Sequence, residues 1–149
     1  YDRHVFDFRN CLKELALDLV GRDVVVLAHS DHGLVPTVED PGVRQLFDQI
    51  EADFDCEIGG AGRVRWVYGR PDSVAAVHER VTRSGPASLR VARRSDLFDP
   101  AARAHDLVGE VVILAEGDRF IAPPGYAYDH GTRTEDELIV PFACWGKVR

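Results

Sequence analysis

The sequence predicts a mixed α/β fold, and three observations carry that expectation. Over Val5–Val20, Phe8, Cys11 or Leu12, Leu15 and Leu19 recur at three- and four-residue intervals, the period of an amphipathic helix. An unbroken apolar run, Val24–Ala28, follows at once; it is β-branched and too short for a helix. A second such run, Val111–Ala115, stands far downstream, with helical patterns in between. Short runs apolar on both faces suit strands covered on both sides, so the expectation is a mostly parallel core sheet flanked by helices.

Taken in order, the first helix stops at Gly21, with Arg22-Asp23 as its turn. After the Val24–Ala28 strand and Asp31-His32-Gly33, residues Leu34–Pro41 form a loop held by two prolines. Val43–Phe54 is helical, with Leu46, Phe47 and Ile50 on one side. Gly59-Gly60-Ala61-Gly62 turns the chain into Val64–Tyr68, an alternating strand. Ser73–Arg83 is a helix with Asp72 as its N-cap. Leu89–Ala92 is a short strand, and Ser95 opens a brief helical turn ending at Pro100. Glu116-Gly117-Asp118 is a hairpin-type turn leading from the second buried strand into Arg119–Ala122. Pro123–Thr134 is irregular. Thr134 and Glu137 have capping-box spacing for one helical turn. Leu138–Trp145 is a last apolar strand whose Pro141 suits an edge.

Composition bounds the function. The 149 residues are 45% hydrophobic and 29% charged, ordinary for one globular domain with its own core. No apolar run approaches the ~20 residues that span a bilayer. Eighteen basic residues against 25 acidic ones give a net charge of −7, which disfavours direct binding to a nucleic-acid backbone. Three widely spaced cysteines, Cys11, Cys56 and Cys144, read as buried free thiols in a reducing compartment, hence a cytoplasmic expectation. The chain has no methionine and opens without an initiator, so it reads as a piece of a longer protein or one member of a split one.

The residues with chemistry lie in two turns. Ser30-Asp31-His32-Gly33 follows the first buried strand directly, where ligands of open α/β sheets collect. Asp31 and His32 offer a carboxylate oxygen and an imidazole nitrogen, a mixture suited to zinc or a similar divalent ion. Gly33 gives the backbone the freedom to turn there. The second turn, Tyr128-Asp129-His130-Gly131, repeats the His-Gly pair in a distant loop. Tyr126 and Tyr128 beside it are candidates for stacking on a substrate's base.

These stretches resemble the alkaline phosphatase superfamily, in particular its nucleotide pyrophosphatase/phosphodiesterase branch. Val24–Gly33 is similar to that branch's strand and metal-binding turn. His130–Pro141 is similar to its closing element, in which a His-Gly ligand precedes an acidic helical turn and a Val-Pro strand. Between them, Leu97-Phe98-Asp99-Pro100 and Gly109–Ala115 resemble the small cap-like insertion of bacterial members, over about residues 55–108. The resemblance implies an alkaline phosphatase-like core with a small α+β insertion. It also implies two divalent ions, commonly zinc, with Asp31 and His32 on one and His130 on the other.

The implied activity is hydrolysis of a phosphodiester or nucleotide pyrophosphate, with a nucleotide-like phosphate ester as substrate. The family's nucleophilic Thr or Ser, an early Asp and an Asp-x-x-x-His pair have no match here, so the fold implied is incomplete. These are expected upstream of Tyr1 or on a partner chain, and the 149 residues are the C-terminal portion of the domain. Two other readings share the same residues: a DNA-defence phosphatase-like domain of the PglZ type, and a non-catalytic interaction domain that kept the fold.

Overall fold

The computed structural model describes residues 2–19 and 24–146. The expected turn at Gly21–Asp23 lies outside them. The chain divides into two compact units, Tyr1–Asp31 with Ile139–Arg149, and His32–Leu138. Among the described residues no helix is long and apolar enough to cross a membrane.

In the first unit, helix α1 (Asp2–Asp18) accompanies a two-stranded ribbon. Strand β1 (Val25–His29) pairs antiparallel with the chain's last strand, Phe142–Gly146, placing Val26 opposite Trp145 and Ala28 opposite Ala143. One face of the ribbon is half-buried through these residues. With Leu12 of α1, Ala28, Ala143 and Trp145 line a mostly apolar cavity of about 390 Å³. The opposite face is bare, with Leu27 60% and Phe142 66% exposed. The sequence expects the Val24–Ala28 run to be buried on both sides in a parallel sheet. Its pairing here is antiparallel, and alternate residues are exposed.

The second unit holds the main core. After the short strands β2 (Val35–Pro36) and β3 (Val38–Glu39), helix α2 spans Pro41–Asp53. Asp40 caps it by accepting from the Gly42 and Val43 amides, and Pro41 suits the first turn because its missing donor would have no partner there. Strands β4 (Cys56–Gly59) and β5 (Val64–Gly69) form a hairpin across the glycine-rich turn. Helix α3 runs Pro71–Ser84. Its N-cap is Arg70, which makes no side-chain cap bond, so the Asp72 cap expected from the sequence is displaced two residues by the proline. Strand β6 (Leu89–Arg93), the short helix α4 (Arg94–Leu97) and a 3₁₀ turn (His105–Leu107) precede strand β7 (Val111–Ala115). Short strands β8 (Arg119–Phe120) and β9 (Tyr128–Asp129), the one-turn helix α5 (Glu135–Leu138) and the ribbon strand β10 complete the order.

The four longer strands form an antiparallel sheet ordered β4-β5-β7-β6. Val43, Phe47 and Ile50 of α2 and Val74, Val77 and Val81 of α3 pack on one face against Val67, Val111 and Ile113. All five residues of β7 are buried, as their apolar run predicts. Its direction is not as expected: β7 runs antiparallel to both neighbours, and the side chains on its other face, Val112 and Leu114, are also buried, bordering a cavity with Val64, Trp66, Leu97 and Phe98. An apolar run reports burial, and burial does not fix strand direction. Among the described strands the one parallel pair is β3–β8, so Arg119-Phe120 pairs there rather than closing a hairpin with β7. The fold is mixed α/β, without the mostly parallel sheet.

Candidate functional site

Strand pairing brings the two His-Gly turns together in the second unit. Strand β2 begins three residues after His32, and β9 ends one residue before His130. The two pair antiparallel, Val35 opposite Asp129 and Pro36 opposite Tyr128, and the Thr37 amide extends the ladder to the Ala127 carbonyl at 3.0 Å. An antiparallel register of this kind carries the residue before β2 toward the residue after β9. His32 and His130 accordingly stack, with ring centroids 3.5 Å apart and planes 12° from parallel.

The His32 ring is held from the adjoining backbone, and the His130 turn through its main chain. The Nδ1 of His32 lies 2.9 Å from the Gly33 carbonyl, which can only accept, so Nδ1 is the donor there and, in a neutral ring, the lone pair falls to Nε2. The Gly33 amide donates to the Glu137 carbonyl at 2.9 Å, and a Cβ on Gly33 would stand 1.8 Å from the Asp136 carbonyl oxygen. Only glycine allows this approach. The His130 amide donates to the Asp129 carboxylate at 2.9 Å, and its carbonyl accepts from the Arg63 amide at 2.7 Å.

Bonded to the main chain of both turns is a buried ion pair that motif reading does not single out. Arg63 is 1% exposed and Glu137 3%. The Arg63 guanidinium donates to the Thr37 hydroxyl at 3.2 Å and to the Gly117 carbonyl at 2.5 Å, with its Nε 3.6 Å from Glu137 Oε1. Glu137 accepts from the Thr132 amide at 2.8 Å, from the Thr134 hydroxyl at 2.5 Å and from the Thr132 hydroxyl. Burial pushes the Glu137 carboxyl upward, but the two hydroxyls, the amide and Arg63 outweigh it and hold the group below its ordinary value. The Thr134–Glu137 spacing marks half of this cluster in the sequence. Nothing in the sequence marks Arg63.

Of the other expected site residues, Asp31 is exposed and closes the first segment of the other unit. Tyr128 sits in β9 two residues before His130, and Tyr126 in the preceding turn; both are exposed. The cysteines are free, but Cys11 and Cys144 are exposed and Cys56 is half-buried, which corrects the expectation of three buried thiols.

Two imidazoles stacked face to face hold their in-plane lone pairs in parallel planes. Such lone pairs do not converge on one ion; they suit two centres side by side, as in sites whose ions stand about 3.5–4 Å apart. They are still short of a full zinc set, which takes three or four protein ligands. Among the described residues no group of three or more His, Cys, Asp or Glu could hold a metal ion. Among the described residues, His32 and His130 are thus a pair of imidazoles side by side.

Comparison with solved structures places this architecture. Human ectonucleotide pyrophosphatase/phosphodiesterase 5 superposes with a TM-score of 0.67 at 13% identity over 93% of this chain. The fold is nucleotide pyrophosphatase/phosphodiesterase-like. The murine protein of the same name gives 0.66 at 15% over 91%. The chain spans 39% and 37% of the lengths of these two neighbours. No family model matches the sequence, and no curated protein matches it.

Proposed function

We propose that this chain supplies part of the centre of a two-metal phosphoesterase acting on phosphodiester or nucleotide pyrophosphate bonds. In this reading the chain is the C-terminal portion of an alkaline phosphatase-like domain, with residues 55–108 as a cap-like insertion. Asp31 and His32 hold one divalent ion, zinc by preference, and His130 holds the second. The nucleophile and remaining ligands come from a preceding segment or a partner chain.

The observation that carries the reading is the His32–His130 stack, because it joins the two motif histidines at the separation of paired ions. The phosphodiesterase-like fold agrees with it. The bound ions would supply positive charge to the attacking and leaving oxygens of an in-line displacement at phosphorus. The chain's own residues do the positioning: the Gly33 carbonyl fixes the tautomer that leaves Nε2 of His32 as the ligand atom. Tyr126 and Tyr128, exposed beside His130, offer faces on which a substrate's base can stack.

The test uses the complete protein that contains this chain. Zinc content and hydrolysis of bis(p-nitrophenyl) phosphate are measured for wild type, His130→Ala and Asp31→Asn. Each variant should lose zinc and fall in rate by more than the roughly 10–100-fold typical of losing an outer-shell partner. Unchanged metal and unchanged rate in both variants overturn the reading. A wild-type protein that binds no zinc and hydrolyses nothing favours a non-catalytic interaction domain.

A further inference from the structure

We propose that Arg63 and Glu137 are positioning residues that set the His32 and His130 rings against each other. Glu137 is tied to both histidine turns at once. Its main-chain carbonyl accepts from Gly33, the residue after His32. Its carboxylate accepts from the Thr132 amide and hydroxyl, two residues after His130. Arg63 closes the frame: its amide donates to the His130 carbonyl, and its guanidinium reaches Glu137, Thr37 and Gly117. The Ala115 amide donates to the Arg63 carbonyl at 3.0 Å, which ties the frame to β7, the most buried strand of the sheet. The ring separation is therefore set by a connected set of bonds running from the core to both turns.

Stability alone does not account for the two charges. A hydrophobic pair of equal volume is often neutral or stabilising in place of a buried ion pair. A hydrophobic pair could not accept hydrogen bonds from two hydroxyls and an amide on one loop, nor donate to a carbonyl and a hydroxyl on others. What the charges add is direction. Gly62 and Gly131 show how closely the parts meet, since a Cβ on Gly62 would stand 2.2 Å from the His130 carbonyl oxygen and one on Gly131 3.2 Å from the Arg63 nitrogen.

The proposal deepens the two-metal reading, and its test separates the two. Histidine-labelled complete protein, treated with chelator, is examined by NMR for contacts between the His32 and His130 rings and for their mutual ring-current shifts. Zinc affinity is measured in parallel by competition with a chromogenic chelator. Glu137→Gln and Thr132→Val should lose the inter-ring contacts and bind zinc roughly 10–100-fold more weakly. Glu135→Gln, on the exposed side of the same helical turn, should change neither. Loss of the ring contacts in a protein whose wild type binds no zinc upholds the positioning role and removes the metal reading. Should Glu137→Gln fail to fold, Thr132→Val decides, because it keeps the ion pair and deletes one hydroxyl. A folded Thr132→Val or Glu137→Gln protein with unchanged ring contacts and unchanged zinc affinity overturns the proposal.

Discussion

Replacing Gly62 by alanine tests how tightly the His130 turn is held. Gly62 has φ +58°, in the left-handed region, where a non-glycine residue costs about 1–2 kcal/mol. The added Cβ also meets the His130 carbonyl oxygen at 2.2 Å, well inside any tolerated contact, so that carbonyl must move. It is the acceptor of the 2.7 Å bond from the Arg63 amide, and losing that bond removes a further 0.5–1.5 kcal/mol or so, about the net worth of one buried hydrogen bond. The total is about 1.5–3.5 kcal/mol. Gly125→Ala is the control: its φ is +84°, and nothing lies within 4 Å of the new Cβ, so it carries the backbone strain without the collision. Urea unfolding of the two variants and wild type, monitored by tryptophan fluorescence, gives the comparison. Gly62→Ala should lie below Gly125→Ala by roughly the value of the lost hydrogen bond. Equal destabilisation of the two would refute the claim that the His130 carbonyl is locked against the Gly62–Arg63 segment.

Three other outcomes follow from the same structure. Glu137 is held below its ordinary value of 4.5 in the folded protein, so its contribution to stability is complete above that pH and is lost as pH falls through the folded value. Glu137→Gln should therefore show a shallower fall in unfolding free energy between pH 6 and pH 3 than wild type, and parallel curves would contradict this. Ile50 is fully buried between α2 and the sheet, and Ile50→Ala should cost about 2–5 kcal/mol by chemical denaturation; a loss below 1 kcal/mol would mean that the core is not packed there. Burial, with Glu51 and Asp55 nearby, raises the Cys56 thiol, so maleimide at neutral pH should label it more slowly than the exposed Cys11, as read by peptide mass spectrometry.

Much of the architecture could be read from residue pattern. The α2 and α3 periods, the burial of Val111–Ala115 and the one-turn helix after Thr134 all follow from local spacing. Strand direction could not be read, because Val, Ile and Leu in a row are compatible with any arrangement that covers both faces. The Val24–Ala28 run shows the other side of that ambiguity: the apolar residues are there, but Leu27 faces outward. At the candidate site the two His-Gly turns were visible as motifs, and their meeting depends on the two-residue β2–β9 pairing, too short to leave a periodic signal. Arg63 was invisible for a simpler reason. A lone arginine beside an alternating strand resembles a surface residue until Thr37, Gly117 and Glu137 are seen to converge on it from three distant segments.

The β1–β10 ribbon has a practical consequence. Two strands with greasy outward side chains, among them Val25, Leu27 and Phe142, form a natural seed for intermolecular strand addition. Produced by itself, this 149-residue polypeptide should cling to other copies and to chaperones, and salting or warming should worsen the precipitation.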